Sequence, residues 1–250
     1  MFDAKKLLDG FLGNAAGGAQ QGTSGGDMMA RGQDYLRSNA GGLAGGALAG
    51  GLAGLLLGTK GGRKLGKKAV TYGGMALVAG LAYKAYRDWQ GNRDAPGPAG
   101  ASAPAGGMAT GESAVLPPPA ESPFAPEHQP GGDRAFALVL LTAMISAAKA
   151  DGHIDGQEQR RIFDKLDSLE LDTEAKAFVM DELRAPLDLD RVVAGASTQE
   201  AALEIFAASR LAIDPDHPAE KAYLDLLAAR LGLDAGLVAE IDRAVREAEA

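Results

Sequence analysis

The chain contains no cysteine, which excludes a disulfide framework, a thiolate metal site and a cysteine nucleophile, and leaves the redox compartment open. Aromatic residues are few, at 5% of the sequence, and the 25 Lys+Arg residues are outnumbered by 33 Asp+Glu. The acidic excess is lopsided. Residues 1–130 hold 12 basic against 9 acidic side chains, and residues 131–250 hold 13 against 24. A half this acidic, with no basic stripe, argues against nucleic acid, whose phosphates must be neutralised by clustered Lys and Arg. Near the start, no apolar run reaches the 7–15 residues of a secretory signal. Leu7, Leu8, Phe11 and Leu12 recur instead at helical spacing, which predicts a short amphipathic helix within a flexible segment 1–39.

Glycine and alanine dominate the adjoining segment. Ala40 to Thr59 carry no charge over twenty residues, and a helix rising about 1.5 Å per residue would just cover a hydrocarbon core about 30 Å thick. Gly42, Gly46, Gly50, Gly54 and Gly58 recur every fourth residue, a strip against which another helix backbone can pack in a membrane. Each interior glycine would cost a water-exposed helix roughly 0.5–1 kcal/mol relative to alanine. The competing account is a Gly/Ala tract without fixed structure. A basic loop of Lys60, Arg63, Lys64, Lys67 and Lys68 comes next, then a second apolar run, Ala69 to Tyr83, flanked by Tyr72, Tyr86 and Trp89. The pattern predicts a membrane hairpin over 40–90 with aromatic residues at the interface. Were both runs to cross, the basic loop would lie in the cytoplasm and the C-terminal half on the outer face; were the fifteen-residue second run only to lie in the interface, the side would reverse. The loop imitates a phosphate-binding turn, but Lys68 stands where Ser or Thr would be needed and no strand precedes it; a basic surface attracted to anionic lipid explains it more simply.

Residues 91–131 hold most of the prolines, with Ala, Gly and Ser, and lack a packing period. They are expected to form a disordered tether. Beyond them the chain reads as helix throughout. Apolar residues return at 3.6-residue spacing in Phe136–Ala148, Ile162–Leu169, Phe178–Leu183, Leu203–Leu211, Tyr223–Leu231 and Leu237–Val245. Asp155 with Glu158 and Ser197 with Glu200 fit capping boxes; Asp172 and Asp234 suit N-caps, and Gly232 a C-terminal cap. Residues 140–183 also align with 203–245, matching Asp151 to Asp214, Glu158 to Glu220 and Leu183 to Val245. The predicted fold is all-α, with an acidic domain over 132–250 made of two duplicated helical units that bury each other's apolar stripes.

The repeat places two acidic turns in matching positions. Asp151, His153, Asp155 and Glu158 occupy one; Asp214, Asp216, His217 and Glu220 occupy the other. Carboxylate oxygens with imidazole nitrogen are ligands for a divalent cation of undetermined identity. The first turn is not an EF-hand, because its twelfth position falls on Ile162 where a bidentate Glu is needed. The same residues also serve as caps and Asx turns without any metal, and both accounts stay open.

The ADGHID and IDPDH segments, with the upstream GGLAGGALAGGLAGLLLG and GRK, resemble YebE-type inner membrane proteins of the tellurite-resistance TerB-like superfamily. The resemblance covers about residues 40–90 and 131–250. It implies a TerB-like helical domain whose acidic turns are candidate cation sites, with Asp151, Glu158, Asp214 and Glu220 as the matching positions, attached to a bacterial inner membrane. The expected function is a non-catalytic, membrane-tethered, cation-binding or scaffolding module. Its expected partners are the membrane, a second copy through the glycine strip, and a protein docked on the acidic domain. An interaction protein without metal is the alternative. A hydrolase using metal near His153 and His217 is a third account, for which no activated nucleophile is recognisable.

Overall fold

The computed structural model describes residues 4–13, 73–94, 115–129, 131–150, 173–213, 215 and 217–249. These residues form α1 (Ala4–Gly13), α2 (Gly74–Asp94), α3 (Gly132–Ala148), α4 (Thr173–Arg184), α5 (Leu189–Ala194), α6 (Gln199–Ala212), α7 (Pro218–Arg230) and α8 (Ala235–Glu249), with a 3-10 turn at Pro126–His128. Among the described residues there is no strand. The fold is all-α, as the apolar periodicity predicts.

The core is organised around α6. Every residue from Ala201 to Ala212 is buried, so this helix is apolar nearly all round, as a helix must be when neighbours cover every face. Its most extensive partner is α3, with α2 and α8 on other sides. Against α3 and α2 lies α1, whose Leu7, Leu8 and Leu12 are buried. The amphipathic face expected there is therefore satisfied by protein, at roughly 1.5–3 kcal/mol per buried leucine.

The structure corrects the transmembrane assignment. Among the described residues no helix is long and apolar enough to cross a membrane. The second apolar run enters α2, which extends past it through Lys84, Arg87, Asp88, Arg93 and Asp94. The first half of α2 is apolar and buried nearly all round, and its second half is charged. Met75, Leu77, Val78, Leu81, Ala82 and Ala85 are buried where α2 meets α1, α6 and α8, while Lys84 and Asp88 reach α8. A helix with a charged second half and a protein-covered apolar face is a core element. The aromatic residues expected at a lipid interface make protein contacts: Tyr83 and Tyr86 lie 5.8 and 5.6 Å from the Phe124 ring, and Trp89 stacks at 6.0 Å on Tyr86. The first apolar run with its glycine strip, the basic loop and Tyr72 fall outside the described residues.

The stretch expected to be a tether also differs. Residues 115–129 run over the core, with Val115, Phe124, Ala125 and Gln129 buried. At the crossing, a Cβ on Gly80 would collide with the Leu116 carbonyl oxygen, so the segment can approach α2 only over a glycine. Prolines here set an extended path and a 3-10 turn, and Phe124 anchors it. Anchors at 115, 124, 125 and 129 keep neither a helix nor a strand period, which is why those patterns miss the segment.

Local signals position the helices. The Asp9 carboxylate on α1 accepts the Gly74 N–H at 2.6 Å, capping α2 from a distant part of the chain. Asp234 accepts the Gly236 N–H at 2.8 Å as the predicted cap of α8, and Gly232 adopts φ +67° after α7, as its C-terminal role requires. The α6 cap is Thr198, whose Oγ1 accepts the Ala201 N–H at 3.1 Å, one residue after the expected Ser197.

Candidate functional site

The second acidic turn joins the end of α6 to the start of α7. Beneath it lies Arg210, whose side chain is 4% exposed. Its Nε donates to Asp242 of α8 at 3.0 Å and its guanidinium also donates to the Ile213 carbonyl at 2.8 Å, placing a fixed positive charge at the root of the turn. His217 and Glu220 form a capping box. His217 Nδ1 accepts the Ala219 N–H at 3.3 Å, and Glu220 accepts the His217 N–H at 3.3 Å. The proton of a neutral His217 therefore belongs on Nε2. Burial pushes the Tyr223 hydroxyl of α7 well above its ordinary value, opposed by the Ser209 hydroxyl on α6. Asp214 and Asp216 lie outside the described residues, so the structure brings together two of the four side chains predicted for this turn, His217 and Glu220.

All four candidates in the first turn, Asp151, His153, Asp155 and Glu158, lie outside the described residues. Its near edge is Lys149, just after α3. Lys149 Nζ donates to the Glu182 carbonyl at 2.9 Å and to the Ala185 carbonyl. Burial lowers its pKa, with the nearby Glu182 carboxylate opposing that shift. Glu182 is itself held by Arg191 through paired hydrogen bonds, so α4 and α5 are fastened to each other. Gly42, Gly46, Gly50, Gly54, Gly58, Lys60, Arg63, Lys64, Lys67 and Lys68 are likewise outside the described residues. Among the described residues no three His, Asp or Glu side chains converge as a cation site would need.

A polar seam joins α2 to α8. Lys84 Nζ lies 3.0 Å from both Asp88 and Glu247. Arg243 reaches Asp88 at 3.1 Å and Glu247 at 3.0 Å and pairs with Glu240. Asn92 donates to Glu240 at 3.0 Å and Trp89 Nε1 to Asp234 at 3.2 Å. Burial alone would lower the Lys84 pKa, but the hydrogen bonds it donates to Glu247 and Asp88, with their negative charge, outweigh it and the net direction is upward. Exposed ion pairs are each worth about 0–1 kcal/mol. Together they hold the polar side of α2 against protein.

The most deeply buried polar pair is Glu204 on α6 with Gln129. Glu204 is 0% exposed, and Gln129 Nε2 donates to its Oε1 at 2.7 Å. Burial pushes the Glu204 carboxyl up to about 9, and the neighbouring charge of Glu200 adds to the rise. At neutral pH the group is therefore an uncharged acid. The sequence pattern assigned no role to Arg210, Glu204 or Gln129. The available signal was that Glu204 and Arg210 interrupt a stretch, Ala201 to Ala212, otherwise suited to burial on every side.

Comparison with known proteins adds no activity. A curated relative, described as an uncharacterized protein in the ampR 5' region of Yersinia enterocolitica, is 29% identical over 108 residues, 43% of this chain and 78% of the relative. No solved structure shows significant similarity. Residues 42–245 match the family model described as a protein of unknown function, DUF533. The match takes in the glycine-rich segment, the basic loop, α2 and the helical C-terminal half together, and on it the chain belongs to the DUF533 family, a TerB-like family of unknown function.

Proposed function

We propose that this chain is a non-catalytic scaffolding module of the bacterial envelope, of the YebE-type inner membrane group it resembles, attracted to a membrane surface through its basic loop. The basic loop Lys60, Arg63, Lys64, Lys67 and Lys68 supplies the attraction to anionic lipid, which is worth about 1 kcal/mol per basic residue near such a surface. The glycine strip supplies self-association, and the acidic helical body is the docking face for a protein partner. One observation carries scaffolding over cation binding: at the second acidic turn Arg210, His217 and Glu220 are engaged in holding the turn itself, and the Arg210 charge opposes a cation there. Co-sedimentation of the full chain with vesicles tests the surface reading. Binding to vesicles containing anionic lipid, lost in high salt and on replacing the five basic residues with alanine, is the expected result. Equal binding to uncharged vesicles, or none to either, would refute it.

A second reading is divalent-cation binding by the acidic turns, whose carboxylates and imidazoles are cation ligands by type. Thermal melting of the full chain with chelator, then with calcium, magnesium, manganese or zinc, decides it. A rise specific to one ion and absent in Asp151→Ala/Asp214→Ala supports a site, because a ligand that prefers the folded state stabilises it. No shift with any ion refutes it.

A further inference from the structure

Residues 115–129 are fastened to the core at one buried polar point. Gln129 Nε2 carries two protons, and both are used: one goes to Glu204 Oε1 at 2.7 Å, the other to the Pro123 carbonyl at 2.9 Å. The two buried atoms left over in this pair are Gln129 Oε1 and Glu204 Oε2. Between an amide oxygen and a carboxylate oxygen there is no proton to share, and burying both unsatisfied is unfavourable. A protonated Oε2 carries a donor of the kind the amide oxygen lacks, the chemistry by which an acid pairs with an amide.

Among the described residues no basic side chain offsets a charge on Glu204. The buried faces of α1, α2, α3 and α8 carry no titratable side chain. On α2, Lys84 and Asp88 are engaged in the seam with α8. Glu200, one turn earlier on α6, adds a like charge, and Arg210 further along is committed to Asp242 and the Ile213 carbonyl. On α7, Glu220 is engaged in the His217 cap. Glu127 and His128 on the segment itself, and Asp133 and Arg134 at the start of α3, are exposed. The segment joins α3 through Gly131 and Gly132, both left-handed at φ +75° and +78°, a junction that can turn where other residues would be strained.

We propose that Glu204 is a proton-dependent latch: as a neutral acid it holds residues 115–129 on the core through Gln129, and its ionisation lets that segment lift about the Gly131–Gly132 junction. Lifting uncovers the apolar sides of Tyr83 and Tyr86, against which Phe124 packs.

Hydrogen exchange of the full chain between pH 6 and pH 8, corrected for the intrinsic pH dependence of exchange, tests this. The amides of Ser122, Ala125 and His128, which donate to backbone carbonyls within the segment, report its release. Opening linked to loss of one proton predicts that their protection falls about tenfold per pH unit, while α6 amides keep theirs. Glu204→Gln restores an uncharged amide pair and should hold protection constant across the range. A flat profile in the native chain, an equal slope in Glu204→Gln, or a parallel loss of protection in α6 would each overturn the latch. The native series decides the matter even if the variant does not fold.

Discussion

For a single residue, a carboxyl in an apolar core is stable only while uncharged. The Glu204 pKa is pushed up from 4.5 to about 9 in the folded chain. Between those values the folded chain holds a proton that the unfolded chain has released, so stability is fully present below the lower value and declines as pH rises through the window, by up to ~1.4 kcal/mol per unit. Glu204→Gln should therefore melt higher than the native chain at pH 8 and show little difference at pH 5; a pH-independent gap would contradict the neutral-acid state. Glycine positions on α2 give a second contrast. Gly80→Ala should lower the urea midpoint, with an overpacking cost of about 1–3 kcal/mol, because its Cβ would meet the Leu116 carbonyl. Gly91 has nothing within 4 Å of a built Cβ, and Gly91→Ala should be neutral or stabilising by up to ~1 kcal/mol.

Among helices and their caps, short-range chemistry was largely legible. Asp234 and Gly232 do what their types predict because each acts on backbone groups within a few residues. The α6 start was displaced by one position, since Ser197 and Thr198 are both competent caps and only the entry direction of the chain selects between them. Thr198→Ala should destabilise by about 1 kcal/mol and Ser197→Ala by less than about 0.5 kcal/mol in denaturant titrations. Equal effects would contradict Thr198 as the cap. The α2 cap was not legible, because Asp9 lies 65 residues from Gly74. Nor was the role of α2. Its apolar stripe is as suited to lipid as to protein, and the distinction rests on the charged half that meets α8. Among the candidate site residues, His217 and Glu220 were found at one turn by residue type, but their capping partnership depends on backbone geometry.

Across the molecule, α1, α2 and residues 115–129 complete the core of the helical C-terminal half. Residues 131–250 alone would expose the faces of α3, α6 and α8 that these elements cover. That fragment should melt lower than the full chain and bind a hydrophobic dye, whereas a fragment beginning at residue 73 should recover much of the difference. Equal melting of the two fragments would show that the α2 contacts contribute nothing. The order of amino acids was enough to establish the all-α class, the approximate helix positions and their nearest caps, because apolar period and capping act over one to four residues. Long-range packing was needed to make α2 a core helix, to fasten the proline-rich segment through Phe124 and Gln129, and to hold Glu204 neutral at the centre. Each of those outcomes depends on which distant surface removes water from a side chain, and spacing along the chain does not encode that.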